Sequence, residues 1–568
     1  MSTHFKWYPS SEEVVIPWNA RYSFPSQANR AQKLTPRIPP KNGGVFSPGN
    51  VIRVEFPAQG YVNPINTTLA FDVALYGYTD TSSVGGSAAL SSAVRFQNNI
   101  SSIFSRVRLL YGSTPLEDII NYNVIVRCLT EWTGTNQNGT MDQSSISEGI
   151  GGYTWGNDSS VVSGTGIQGN LNVRQKFIQG KQTSFPGALA ANSAGGTIGY
   201  IPNSSSAVFS GAPTVTDTTP TCRRYQINFA LGIMTQDKLI PTKFMASQLA
   251  IELTLEQPTN CIYTIPGASA SGNPTYAVGN VALIPEILEF DNAYDQGFLK
   301  GLSDGGVPIK FSSWHTFVFG SSGGSNINLL IQERSKSVKA LFAVQRRAQG
   351  TYLADNGATF LDTSANGAST LQNYQFRIGG RYFPAAPVQV STNVGSAISN
   401  GGCEAYVELQ KALNQVGDYR LSTSCNTSRW GLQNYGGILQ EFDFTRSLTT
   451  IGATGIPVFF IVESPTNAFS GTLGSQCFGM AVDLETSNGL EISGLNAEEQ
   501  SDIALIANWT STQVTGNAAT PSSIEVYSYF DAMIILKENN VYYFIIIGYP
   551  IDSIKYVYIN KRWELILV

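Results

Sequence analysis

Two histidines, His4 and His315, are the only imidazoles in this 568-residue chain. Nucleophilic catalysis by a serine or cysteine triad needs an imidazole as its base. His4 stands in a proline-rich basic segment at the start of the chain. His315 lies in Trp314-His-Thr-Phe, inside a run that alternates like a strand, so a packed or hydrogen-bonded histidine is expected there. The carboxylates available for acid–base work are Glu463, Asp483, Glu485, Glu498, Glu499 and Asp502. Glycoside hydrolysis needs two such groups facing each other across a cleft, and these read as solvated loop acids.

The other chemical motifs are also missing. Cys128, Cys222, Cys261, Cys403, Cys425 and Cys477 are widely spaced, with no CxxC pair, so no structural zinc site is expected. No GxxxxGK[ST] phosphate loop is present, and Gly305-Gly306 and Gly379-Gly380 read as turn or seam glycines. Lys336, Lys339, Arg346 and Arg347 form a modest basic cluster, read as an interface or solvated face. No catalytic, metal or cofactor residue is assigned, and neither a cofactor nor a small-molecule substrate is expected.

What remains is binding. Residues 1–44 carry Lys6, Arg21, Arg30, Lys33, Arg37 and Lys41 against Glu12 and Glu13, together with Pro9, Pro17, Pro25, Pro36, Pro39 and Pro40. Proline removes ladder donors and stiffens an extended chain. The segment reads as an extended arm reaching a neighbouring subunit, a membrane or packaged nucleic acid, or else as a frayed terminus. Its six cations are the candidate inter-subunit or interior contacts. The net charge of −5 argues against nucleic acid as the main partner. Charged residues make up 13% of the chain, against about 25% in soluble domains. A surface so poor in charge suits a protein packed against copies of itself. Sparse cysteine and the lack of a charged-then-apolar leader point to synthesis in a reduced, intracellular compartment. The sequons at Asn66 and Asn508 then read as chance composition. No run reaches the ~18 apolar residues of a spanning helix.

The elements that position these residues follow a β-rich programme run twice. In residues 51–56, Ile52, Val54 and Phe56 share one face, opposite Arg53 and Glu55. That is the two-residue period of a half-buried strand. Leu69, Phe71, Val73 and Leu75 repeat it after an Asn63-Pro64 turn signal. Residues 104–111 form a third strand with Arg106 and Arg108 facing away from its apolar side. A helix is predicted at 115–132: Thr114 caps, Pro115 takes the first position and Glu117 completes a capping box. Residues 133–221 hold seven charged residues in a Gly/Ser/Thr/Asn-rich stretch, and Tyr153, Trp155, Phe177, Phe185 and Tyr200 favour a folded insertion over disorder. Strands at 225–233, 249–256 and 281–290 close the first half.

Phe290, Tyr294 and Phe298 recur every four residues, so a linker helix is predicted, ended by Gly305-Gly306 and Pro308. The second half offers strands at 309–319, 327–333, 338–346 and 374–383, then a helix near 404–413. Further strands are predicted at 438–444, 458–463, 478–484, 503–509 and 525–537. Seven or eight short strands per half predict two sandwiches, each a jelly roll if eight strands fill two facing sheets.

On these segments the chain resembles the double jelly-roll major capsid proteins of tailless icosahedral double-stranded DNA viruses. Within that lineage it is most similar to those of polinton-like viruses, virophages and giant viruses. Residues 105–131, 231–256, 286–317, 376–387 with 404–420, and 478–508 carry the resemblance, which spans about 51–540. It implies an all-β fold of two consecutive eight-stranded jelly rolls with a few short helices and long surface loops. The divisions would be an arm at 1–44, a first roll at 45–290 containing the 133–221 insertion, a linker helix at 291–308, a second roll at 309–540 and an extension at 541–568. The implied role is structural: a homotrimeric, pseudo-hexagonal capsomer in the virion, contacting neighbouring capsomers and minor capsid or penton proteins. An internal membrane or packaged DNA would meet the N-terminal arm, and synthesis would be in the host cytoplasm or nucleus. The alternative is a glycan-binding virion spike or fibre, suggested by Tyr153 and Trp155 in polar loops. Residues 541–568 run on past where similar proteins end, and alternation at 554–559 allows another strand.

Overall fold

The computed structural model describes residues 31–80, 83–84, 87–88, 94–96, 100–133, 221–264, 270–303, 306–320, 326–346, 371–390, 403–414, 478–485, 493–498, 502–509, 523–537, 540–545, 554–559 and 562–567. The first half contributes β1 (Ala31–Leu34), β2 (Val45–Phe46), β3 (Val51–Glu55), β4 (Tyr61–Asp80), β5 (Phe104–Tyr111), β6 (Thr114–Ile120), β7 (Thr221–Asn228), β8 (Leu249–Leu255) and β9 (Ala270–Phe290). Helices α1 (Tyr122–Thr133) and α2 (Gly232–Thr235) follow β6 and β7, and α3 (Asn292–Ser303) links the halves. The second half contributes β10 (Val307–Gly320), β11 (Asn326–Leu330), β12 (Val338–Arg346), β13 (Leu371–Ile378), β14 (Arg381–Gln389), α4 (Cys403–Ala412), β15 (Met480–Asp483), β16 (Ile503–Trp509) and β17 (Ser523–Lys537). Beyond it lie β18 (Asn540–Ile545), β19 (Ile554–Ile559) and β20 (Arg562–Leu567).

Strand order decides the architecture. In the first half one sheet runs β1-β9-β4-β7, with β2 also on β9, and the other runs β3-β8-β5-β6. Counting β1 and β2 as one interrupted first strand, these orders are first-eighth-third-sixth and second-seventh-fourth-fifth. The second half runs β10-β17-β12-β15 and β11-β16-β13-β14, which is the same pair of orders. Every pairing is antiparallel. Two four-stranded sheets wound in this order are a jelly roll, so the chain is a double jelly roll.

The period-2 pattern places the cores. Leu249, Ile251, Leu253 and Leu255 of β8 are buried, while Glu252 and Thr254 face outward. Phe71 and Val73 of β4 meet them from the facing sheet, and Phe71 packs edge-to-face on Phe104 at 5.6 Å. The second core repeats this with Tyr374, Phe376, Leu505, Ala507, Val526 and Leu341.

Several expectations are corrected. Residues 114–120, read as the start of a helix, form strand β6, paired to β5 through a turn at Gly112 (φ +60°). Asn121 (φ 53°) turns the chain into α1, so the helix begins at Tyr122. Pro115 is tolerated because β6 is the edge strand of its sheet. The Asn63-Pro64 signal marks no turn. It sits inside β4 where the register slips, since Asn63 faces Glu286 and Thr68 faces Ile284. The extra residues bulge outward, and the Thr67 hydroxyl donates to the Asn63 carbonyl at 2.8 Å. Residues 374–383 are not one strand but the hairpin β13–β14, closed by Gly379 and Gly380 at φ 56° and 79°.

The arm and the extension also engage the sheets. Residues 31–34 form β1 against Phe290–Ile287, Ile38 bridges Leu283, and the Lys41 N–H donates to the Arg53 carbonyl at 2.8 Å. The part of the predicted arm from residue 31 onward is therefore stitched along the first sandwich, because an extended, proline-interrupted segment still offers ladder groups between its prolines. In the extension, β18 pairs Ala532–Lys537 of β17, sharing that strand's edge with β12, and β19 pairs β20. The linker helix stands at Asn292–Ser303 and the second-half helix at Cys403–Ala412, close to where periodicity predicts them. The strands predicted at 438–444 and 458–463, and residues 134–220 of the insertion, lie outside the described residues.

Phe71→Ala removes a fully buried ring from the first core. It is expected to cost about 3–5 kcal/mol, read as a lower urea midpoint. A loss below about 1 kcal/mol would mean that the core is not built around this position.

Candidate functional site

The described residues build their richest chemistry where the two sandwiches meet. The outward face of sheet β10-β17-β12-β15 carries Trp314, Phe342, Tyr527 and Tyr529, with Trp314 4.6 Å from Tyr529 and 5.5 Å from Phe342. An aromatic face this large is unfavourable in water. It is covered by the first sandwich, which presents its edge strand β6, the end of α1 and the short helix α2. Trp132 of α1 stacks on Phe342 at 5.7 Å, and a Cβ at Gly479 would lie 2.5 Å from the Trp132 ring. At α2 the backbones themselves touch: a Cβ on Gly232 would stand 1.9 Å from the Ser312 carbonyl oxygen. Only glycine fits there.

The polar groups trapped in this seam are satisfied across it. Glu117 of β6 accepts from the N–H groups of Gly232 and Ile233 at 2.8 and 2.9 Å and from the Ser313 hydroxyl at 2.6 Å. Its carboxyl is pushed up to about 7; burial raises it, and the bonds from Ser313, Ile233 and Gly232 oppose that rise. The Thr316 hydroxyl donates to the Ile120 carbonyl at 2.9 Å. Deeper in, Glu525 receives Arg346 Nη1 at 2.8 Å, Asn121 Nδ2 at 3.0 Å and the Tyr527 hydroxyl. Burial, followed by the charge of Glu525, drives the Tyr527 phenol well above its ordinary range. A buried arginine–carboxylate pair of this kind is costly to break from one side.

The residues singled out from sequence are placed as follows. Lys6, Arg21 and Arg30 of the arm lie outside the described residues. Lys33 is paired with Glu286, Arg37 is exposed, and Lys41 pairs with Glu55 at 2.8 Å. These three cations are spread along the first sandwich rather than gathered into one patch. His315 is half-buried at the second core, 3.1 Å from Glu333 and 4.0 Å from the Phe530 ring, and the Ser335 hydroxyl bonds to the same carboxylate at 2.7 Å. Burial would raise Glu333, but the bond and charge of His315 with the Ser335 hydroxyl outweigh it and hold the carboxyl at about 2. The basic cluster is neutralised: Lys336 pairs with Glu498 at 2.8 Å, Lys339 with Glu485 at 3.0 Å, and Arg346 faces the seam. Asp502 pairs with Arg377 at 2.8 Å. His4, Glu463, Glu499 and Arg347 lie outside the described residues. No grouping of three or more His, Cys, Asp or Glu that could hold a metal occurs among the described residues. None of their helices is long and apolar enough to cross a membrane.

Sequence reasoning missed the seam carboxylates Glu117 and Glu525. Glu117 has the spacing of a capping-box residue and instead lies within a strand. The sequence carries no clear signal for it, since Leu116 and Glu117 are adjacent and both buried while Ile120 is exposed.

No protein-family model matches the sequence, and no curated protein matches it. Solved structures of similar shape exist. The mavirus major capsid protein is 9% identical, with 96% of this chain and 95% of that one covered, at a TM-score of 0.46. The Faustovirus major capsid protein is 10% identical over 93% of each chain, at 0.46. The PBCV-1 capsid protein fitted into a reconstruction of the virophage Sputnik is 9% identical over 93% of this chain and 99% of that one, at 0.48.

Two outcomes test the seam. Glu117 binds its proton more tightly folded than unfolded, so the stability it contributes is full below about pH 4.5 and is lost as pH rises to about 7. The span is about 3 kcal/mol. Denaturant titrations of the wild type and Glu117→Gln should differ in slope across that window, and parallel curves would refute the assignment. Gly232→Ala should lower stability by about 1–3 kcal/mol through the forced separation of the backbones. A neutral result would mean that the halves do not approach there.

Proposed function

We propose that this chain is a major capsid protein whose work is self-association. Three copies form a pseudo-hexagonal capsomer of six upright sandwiches, and capsomers tile the icosahedral shell of a double-stranded DNA virus. One observation carries the reading: both halves wind their strands in the same order and are fixed side by side through a solid, buried seam. One chain thereby supplies two similar lobes, and a threefold ring of such chains presents six. Where they are described, the segments that resemble double jelly-roll capsid proteins fall largely on these strands and helices.

The role is structural rather than catalytic. A closed threefold ring held by obligate interfaces on the order of 2,000–5,000 Å² needs no cofactor. The protein belongs to the virion after synthesis in the host cytoplasm or nucleus. Neighbouring capsomers and minor capsid or penton proteins are its further partners, and residues 1–30, with Lys6, Arg21 and Arg30, would meet an internal membrane or packaged DNA. The spike or fibre alternative rested on Tyr153 and Trp155, which lie outside the described residues, and no observation favours it.

Native mass spectrometry of the purified chain at micromolar concentration should give three times the 61.3 kDa of one copy, and electron microscopy should show six-lobed particles of threefold symmetry. A stable monomer under those conditions would count against the capsid reading.

A further inference from the structure

One end of the first sandwich holds a buried acid whose partners are all neutral. Glu256 directly follows β8 and is 7% exposed. Asn123 Nδ2 donates to its Oε2 at 3.1 Å, and Asn260 Nδ2 and the Gln257 N–H donate to its Oε1, each at 2.9 Å. Among the described residues no lysine or arginine is ion-paired with it. A buried charge is costly unless it is paired. Asp72, Asp295 and Glu525 are also buried, and each faces a cation: Arg224, Lys243 and Arg346.

Two buried oxygens beside this carboxylate have no hydrogen-bond partner, Asn260 Oδ1 and Ser102 Oγ. Asn260 is 6% exposed and Ser102 1%. Both residues are held against the acid. The Asn260 amide touches it through its nitrogen, which keeps Oδ1 alongside. Asn123 Nδ2 reaches the Ser102 carbonyl at 3.4 Å as well as Glu256, so one amide nitrogen ties Ser102 to the same place. The cluster thereby joins three segments: Ile100–Ile103 before β5, the first turn of α1, and Pro258–Cys261 after β8. Buried polar atoms without partners are rare in folded proteins and point to a bound water or ion. A carboxylate has about four acceptor positions, and three are used here, which leaves one on Oε2. A cation meets both deficits, of positive charge and of partners for oxygen lone pairs. A water meets only the second.

We propose that Glu256 Oε2, Asn260 Oδ1 and Ser102 Oγ bind a hard cation, Ca²⁺ or Na⁺. Carboxylate, amide and hydroxyl oxygens suit such ions. The nearby sulfur stays outside the set, since the Cys261 thiol donates to the Gln257 carbonyl at 3.4 Å. A single carboxylate sets calcium affinity at the weak end of oxygen-ligated sites, about 10⁻⁴–10⁻³ M. The bound ion fixes the start of α1, the helix whose far end carries Trp132 onto Phe342 of the second sandwich.

The test uses the full chain, treated with EDTA and dialysed into a sodium-free buffer. Terbium, which occupies calcium's oxygen sites, should luminesce on excitation of Tyr276, whose hydroxyl donates to the Glu256 carbonyl at 2.5 Å. Added Ca²⁺ should displace the terbium and raise the melting temperature to a plateau. Displacement by Na⁺ with Ca²⁺ inert would assign sodium to the same oxygens. A wild type on which none of the three ions acts overturns the proposal. Glu256→Gln keeps the shape and removes the charge, so it should weaken terbium binding about tenfold or more. Unchanged binding by a cooperatively melting Glu256→Gln variant overturns the proposal. Should that variant not melt cooperatively, Asn260→Asp replaces it. Its second carboxylate should tighten calcium about tenfold, and an unchanged or weaker affinity overturns the proposal.

Discussion

A sheet that is apolar on both faces must be covered on both, and sheet β10-β17-β12-β15 is such a sheet. Its inner face closes the second core with Leu341, Ala343 and Val526, and its outer face carries Trp314, Phe342, Tyr527 and Tyr529. Burial on the two faces turns it into an interior layer. Strand β12 shows the consequence: from Ala340 to Arg346 every residue is buried, without the alternation of a half-exposed strand. The second sandwich therefore depends on the first for one of its walls, and the pairing of the halves is a folding requirement rather than a tethering of two domains.

That dependence explains the polar content of the seam. Where Gly232 lets α2 reach the backbone of β10, two N–H groups lose water and need an acceptor. A buried donor left unpaired costs about 1–3 kcal/mol. Glu117 supplies an oxygen to each and takes the Ser313 hydroxyl as a third donor. No cation is among the partners that act on it, so the price of burying its charge shows as a raised proton affinity. Glu525 is different: Arg346 neutralises it, and Asn121 ties the pair to the first sandwich.

Much of the double sandwich was legible because strand alternation is a local signal. Residues 249–255 and 503–509 declare their inward faces one residue at a time. The failures share a cause: tertiary pairing overrode a local signature. Thr114-Pro115-Leu116-Glu117 has the residues of a helix start, yet β5 offers six positions of antiparallel pairing, and strand formation wins. Asn63-Pro64 has the residues of a turn, yet β9 continues opposite it, so the chain bulges and goes on. Residues 31–44 have the prolines of a free arm, yet the edge of β9 is open to β1 and β2. The seam was the least legible part, since Glu117 and Ser313 stand 196 residues apart and nothing local announces that they meet.

The outer faces of the two second sheets show that the halves, alike in winding, have diverged in chemistry. Across β3-β8-β5-β6 the residues in register are Arg53, Glu252, Arg108 and Asp118, a row of alternating charge in which Glu252 meets Arg53 at 3.0 Å and Arg108 at 2.5 Å. Across β11-β16-β13-β14 one rung is Asn326, Asn508, Asn373 and Gln389, with Asn508 donating to Asn373 at 2.7 Å, and the Arg377–Asp502 pair stands on the same face. A charged ladder keeps its waters and its counter-charges in place, and like or unlike charges brought against it decide which surface is accepted. The two halves, alike in winding, therefore present different side chains along these rungs.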